Sequence, residues 1–122
     1  MTTFETIANA YITAWNTRDA AEREQAVAAA FAPDATYADP LADVSGRAAI
    51  AELIGGAQQQ FDGWTFRLDG PVDGHHGQAR FTWALGPEDG EAPVVGFDVV
   101  TLDDDGQITS VLGFLDKVPA AA

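Results

Sequence analysis

An aspartate, Asp98, interrupts the most apolar stretch of this sequence, Val94 to Leu102. Burying a carboxyl group there is costly unless it is paired or hydrogen-bonded. Asp98 is therefore a site residue at a pocket, half of a structural salt bridge, or a group on the wet rim of an interface. A carboxyl group at a pocket could hold or move a proton near neutral pH. Asp39 precedes Pro40 at the end of a short extended piece, Ala35 to Ala38. It is either a turn residue or an acid at a pocket mouth, between a buried helix and the one that follows. Tyr11 lies inside an apolar stripe, so its ring is expected to be buried. Its hydroxyl must then bond a backbone carbonyl, a water or a ligand.

Further side chains could complete a site. A hairpin centred near Asp89 puts Arg80 opposite Asp98 and Thr82 opposite Gly96, so an Arg80–Asp98 pair is expected. Such a pair would keep the acid ionised. A slip of one residue would bring Phe81 and Trp83 to that face instead. Trp15, Phe66, Phe81, Trp83 and Phe114 could line a pocket for a flat, apolar ligand, or could simply be core. His75 and His76 sit between glycines, and adjacent imidazoles clamp one metal poorly. Asp103 to Asp105 with Gly106 reads as a hairpin, since the remaining calcium-loop ligands are missing. With no cysteine in the chain, thiolate chemistry is excluded, and neither metal nor cofactor is expected.

Composition narrows the partners. Acids outnumber bases 19 to 6, for a formal net charge of −13. Such a surface repels phosphate backbones and anionic lipid. The basic residues are scattered, so no nucleic-acid partner is expected. No apolar run approaches the ~20 residues of a membrane span. The stretch Met1-Thr2-Thr3-Phe4-Glu5 lacks a basic region followed by an apolar one, so a cytoplasmic location is expected.

The elements that would position these groups are legible in the periodicity. Phe4, Ile7, Ala8, Tyr11, Ile12 and Trp15 form one helical stripe over residues 3–17, with Thr3 as its cap. A second helix runs from about Ala20 to Phe31 and stops before Pro33. Ser45 reads as the cap of a third, about Gly46 to Phe61. Strands follow: Trp64 to Leu68, a weak Val72 to Gln78, then Ala79 to Leu85, Val94 to Leu102 and Ile108 to Leu115. Helices first and an antiparallel meander afterwards imply an α+β domain over residues 1–118, with a tail at 119–122. Val94, Asp98, Val100 and Leu102 share one face of the best strand; Val95, Phe97 and Val99 share the other. Both faces want cover, which predicts a homodimer formed sheet to sheet.

Several segments carry a resemblance. They are Ala10-Tyr11-Ile12-Thr13-Ala14-Trp15-Asn16 with Asp19, Phe31 to Pro40, Ser45 to Ile50, Gly96-Phe97-Asp98, Asp105 to Ile108, and Gly113-Phe114. The chain resembles the SnoaL-like and ketosteroid-isomerase-like members of the nuclear transport factor 2-like superfamily. The resemblance implies a cone-shaped fold in which about three helices and a curved, mainly antiparallel sheet enclose one pocket. It also implies roles: Tyr11 donates a hydrogen bond to a developing enolate, Asp39 shuttles the proton, and Asp98, held neutral by apolar surroundings, is a second donor. An Arg80 partner on Asp98 would oppose that last role. The activity implied is isomerisation, dehydration or cyclisation of a small apolar carbonyl compound. The fold equally hosts proteins that only bind such ligands. An epoxide-hydrolase subgroup uses two acids bridged by an arginine, but the second acid would fall near Gly113, which has no side chain.

Overall fold

A computed structural model describes residues 3–119 of the chain. Beyond Pro119, the expected tail lies outside the described residues. In chain order the elements are α1 (Phe4–Asn16), α2 (Ala20–Ala30), β1 (Phe31–Asp39), β2 (Ala42–Ser45), α3 (Arg47–Gln60), β3 (Thr65–Leu68), β4 (Asp73–His75), β5 (Gln78–Gly86), β6 (Val94–Leu102) and β7 (Ile108–Lys117).

Local chemistry sets the helix ends. Thr3 caps α1, its hydroxyl accepting from the Thr6 N–H at 3.0 Å, and Asp19 caps α2 by accepting from Glu22 N–H at 3.0 Å. Each satisfies a backbone donor the helix cannot. The third helix starts differently. Ser45 ends β2 and caps nothing; Gly46 takes the cap position with φ +89° and no side-chain bond. The chain enters α3 directly from a strand, and that turn needs a left-handed residue. Phe31, expected to end the second helix, instead begins β1.

The sheet order is β2-β1-β7-β6-β5-β3, with β4 also pairing with β5. Every pairing is antiparallel except β1 with β7, which is parallel. Two features escaped the sequence reading. Residues 42–45 form a strand that hairpins onto β1, and the extended piece at 35–38 belongs to a strand of nine residues. Between Phe31 and Thr36 the β1–β7 register shifts, where Pro33 has no N–H to offer a ladder. The weak strand expected at 72–78 shrinks to Asp73–His75.

The three helices cover one face of this sheet. Ile7, Val27, Phe31, Ile50, Ile54, Phe81, Val100, Ile108 and Val111 form the buried core between them. The register of β5 against β6 differs by one residue from the expected one. Phe81 pairs with Asp98, Trp83 with Gly96, and Arg80 with Val99. The hairpin midpoint falls between Asp89 and Gly90 rather than on Asp89. One residue of slip exchanges the faces of a strand. Burying Phe81 and Trp83 while leaving Arg80 in water decides which register wins.

That register depends on Gly96. The Trp83 ring lies directly over it, and a Cβ at position 96 would overlap the indole. Gly96→Ala is therefore expected to displace Trp83 and destabilise the fold by about 1–3 kcal/mol, an overpacking penalty. Denaturant unfolding of the purified variant checks this; unchanged stability would mean that the ring can be moved at no cost.

Candidate active site

The helices and the inner face of the sheet enclose a partly open cavity of about 420 Å³. Helix α1 contributes Tyr11, Ile12 and Trp15. Strand β1 contributes Tyr37 and Asp39, β3 Phe66, β5 Trp83 and Leu85, β6 Val94 and β7 Leu115. The walls are almost wholly apolar and aromatic. Trp15 packs against Tyr37 and Phe66 at centroid distances of 5.7 and 5.2 Å, and Phe66 meets Trp83 edge-on at 5.4 Å.

Two carboxyl groups organise the polar end. Asp98 is 1% exposed, below the helix and behind Tyr11 and Trp83. Its Oδ2 accepts from the Tyr11 hydroxyl at 2.8 Å and from Trp83 Nε1–H at 3.0 Å. Its Oδ1 lies against Gly113, where an added Cβ would sit 2.8 Å from that oxygen and 3.2 Å from Asp39 Cβ. The two acids thus meet over one glycine. Asp39 lines the cavity wall. Its Oδ2 accepts from the Tyr37 hydroxyl at 2.6 Å, and its Oδ1 from Leu41 N–H and Ala42 N–H at 2.8 and 2.9 Å. Asp39 is both of the things its sequence context allowed: it closes the β1–β2 turn and faces the cavity.

Burial raises the Asp98 carboxyl pKa to about 7. The hydrogen bonds from Tyr11 and Trp83 oppose that rise, and the nearby Asp39 charge adds to it. Burial and then the Asp98 charge raise Tyr11 well above the usual phenol range; burial and then the Asp39 hydrogen bond do the same to Tyr37. Both tyrosines are therefore protonated donors across the physiological range.

Of the residues expected to form a site, Tyr11, Asp39, Trp15, Phe66 and Trp83 line this cavity, with Asp98 behind Tyr11 and Trp83 rather than in the wall. Arg80 and Phe114 do not. Arg80 lies on the outer face of the sheet, its side chain 63% exposed and 3.2 Å from Asp73. The one-residue register difference puts it there, so Arg80 does not neutralise Asp98. Phe114 pairs with Phe97 on that same outer face and is 57% exposed. Gly113, where a second epoxide-hydrolase acid would stand, lies opposite Asp98, and no arginine bridges there. Tyr37 was missed. Alternation along β1 puts Ala35, Tyr37 and Asp39 on one face, but that signal needs the full strand to be recognised. Among the described residues no group of three or more His, Cys, Asp or Glu is placed to hold a metal ion.

The raised pKa has a sign in stability. An unfolded Asp98 ionises near its ordinary value of 3.8, whereas the folded one keeps its proton up to about 7. Between those values the folded state binds more protons, so this group's contribution is complete below about pH 4 and declines as pH rises through 7. Asp98→Asn keeps the shape without the charge. It is expected to be more stable than the parent by roughly 1–4 kcal/mol at pH 8, the gap closing towards pH 4. Thermal unfolding across that range tests this; a gap that widens with acidity would show that Asp98 is ionised and favourably held.

Comparison with known proteins agrees with this architecture. The family profile described as SnoaL-like domain matches residues 8–111. A steroid Delta-isomerase from Nocardioides simplex is 43% identical over 96 residues, covering 73% of each chain. A solved structure from Agrobacterium tumefaciens, a candidate isomerase of the SnoaL-like family, superposes with a TM-score of 0.89 at 43% identity, covering 95% of this chain and 99% of that one. A candidate polyketide cyclase from Sinorhizobium meliloti has a TM-score of 0.68 at 21% identity, covering 90% and 93%. At that identity the likeness speaks for the fold alone.

Proposed function

The chain belongs to the SnoaL-like family, and from that premise we propose that it catalyses proton transfer on a small, flat, apolar ketone, moving a double bond within it. One observation carries this reading. An apolar cavity is lined by both Asp39 and Tyr11, and the Tyr11 hydroxyl donates to a second acid, Asp98, behind it. The 43% identity to a protein named steroid Delta-isomerase supports it.

In this mechanism Asp39 removes a proton from the carbon next to the carbonyl. The C–H electron pair moves into the carbon framework and charge develops on the ketone oxygen. Tyr11 meets that oxygen with its hydroxyl. Asp39 then returns the same proton to a carbon further along, so the reaction is redox-neutral and consumes no water. Asp98 acts through Tyr11. Ionised, it holds the Tyr11 proton tightly. Protonated, it is a weaker acceptor and releases that proton to the ligand. Its pKa of about 7 puts this change within the working range.

The test is exchange and isomerisation of a β,γ-unsaturated steroid ketone. Asp39→Asn is expected to lower kcat by about 10²–10⁴-fold, and Tyr11→Phe to weaken turnover without abolishing it. The parent kcat/KM should fall as pH rises through about 7, while Asp98→Asn should lose that inflection. A parent protein that binds the ketone yet exchanges no proton would make the chain a ligand-binding member of the family.

The outer sheet face supports a homodimer. Leu112 and Phe114 are about half exposed there, beside their partners Val99 and Phe97. Two copies joined through this face would bury at least ~1,000 Å² in total, as specific pairs do. Sedimentation at micromolar concentration should give a dimer, and Phe114→Glu a monomer. A monomeric parent would rule the pairing out.

A further inference from the structure

We propose that Trp15 is a positioning residue for Tyr11: its indole N–H, which has no acceptor among the described residues, closes on the Tyr11 oxygen when a ligand draws in the Tyr11 hydroxyl. This rests on the reading of Tyr11 as the donor to the ligand oxygen. It begins from an account of the buried donors around the cavity. The Tyr11 hydroxyl and Trp83 Nε1–H are both committed to Asp98, and the Tyr37 hydroxyl is committed to Asp39. Among the described residues, Trp15 Nε1 is the one buried side-chain polar atom with no hydrogen-bond partner. Leaving such a donor unmet is costly, and buried indoles usually find a partner.

The indole lies beside Tyr11. The two residues are one turn apart on α1 and share its inner face, with ring centroids 6.2 Å apart and planes at 52°. Tyr37 and Phe66 wedge the Trp15 ring from the other sides. Trp15 is 7% exposed, and its nitrogen has almost no contact with solvent. The Tyr11 oxygen donates one hydrogen bond and receives none, leaving lone pairs free. Burial and the Asp98 charge raise the proton affinity of that oxygen; hydrogen bonding from the Trp15 N–H lowers it, so the indole nitrogen lies close to that oxygen although outside full bonding geometry. When Tyr11 donates to an oxygen that is becoming negative, its own oxygen gains charge and becomes a better acceptor. Hydrogen bonds in such a chain strengthen one another. Trp15 would then complete a chain from indole to hydroxyl to ligand.

The experiment uses 2-naphthol, a flat apolar molecule with one acidic hydroxyl, and follows the tryptophan indole N–H signals by ¹⁵N-edited NMR. Trp15→Phe assigns the Trp15 signal. On saturation the Trp15 indole proton of the parent is expected to move downfield, and in Tyr11→Phe it should stay in place although the ligand still enters. Trp15→Phe should weaken 2-naphthol binding about tenfold, the worth of one good hydrogen bond. In the Tyr11→Phe background it should add no such loss, the non-additivity that marks one shared interaction. A cavity that fills, seen in shifted Leu85 and Val94 methyl signals, without movement of the Trp15 proton overturns the proposal and leaves the site reading standing. A Trp15 proton that moves equally in Tyr11→Phe also overturns it, because the indole then bonds the ligand itself. If 2-naphthol perturbs nothing in the cavity, the site reading fails and this inference fails with it.

Discussion

A carboxyl group with almost no contact with water, accepting two hydrogen bonds on one oxygen, is what the interior of this protein is arranged around. Asp98 can occupy the core because Tyr11 from α1 and Trp83 from β5 converge on its Oδ2. The bond from Tyr11 ties the first helix to the middle of the sheet, while that from Trp83 links the neighbouring strands β5 and β6. Without these bonds the burial cost of the acid would be uncompensated. With them the cost is partly offset, and what remains appears as a carboxyl pKa near 7. The same constraint that makes the acid tolerable thus leaves it able to change charge near neutrality.

Two glycines make room for this arrangement. Gly96 lets the Trp83 indole lie flat against β6, and Gly113 leaves the space that Asp98 Oδ1 and the Asp39 backbone-proximal carbon share. Neither is at a turn. Both are strand positions where close approach, rather than backbone conformation, excludes a side chain. Asp39 reaches this point from the other side of the sheet order, because β1 runs beside β7 as the one parallel pairing. The acids therefore come from strands far apart in sequence but nearly adjacent in the sheet. Tyr37 completes the pattern, so each acid is held by a buried tyrosine.

The outer face of the same sheet follows a different logic. Phe97, Val99, Leu112 and Phe114 lie there with Arg80, whose charge is met by Asp73 at the surface. Fold and site are thus separable. The nuclear transport factor 2-like cone, shared with structures of low identity, supplies the cavity, whereas a few side chains in and behind its wall set its polar character.

The sequence by itself determined the helices, the strands β5, β6 and β7, the α+β order and the chemical types at the candidate site. Periodicity is local, and Asp98 stood out because an acid conflicts with its neighbours whatever the fold. Local patterns also determined that Trp15, Phe66 and Trp83 were candidates for a pocket wall. The parity of the β5–β6 hairpin was decided only in three dimensions. Both registers satisfy the loop, and the choice rests on which residues the helices can cover, so Arg80 was expected on the wrong face and Phe114 inside. The β1–β2 hairpin and the placement of Tyr37 were likewise hidden, because β1 earns its strand conformation by pairing with β7, more than seventy residues away. Nor could spacing show that Tyr11 spends its proton on Asp98 while Trp15 spends its own on nothing. Hydrogen-bond partners are fixed by packing, and packing is a property of the assembled chain.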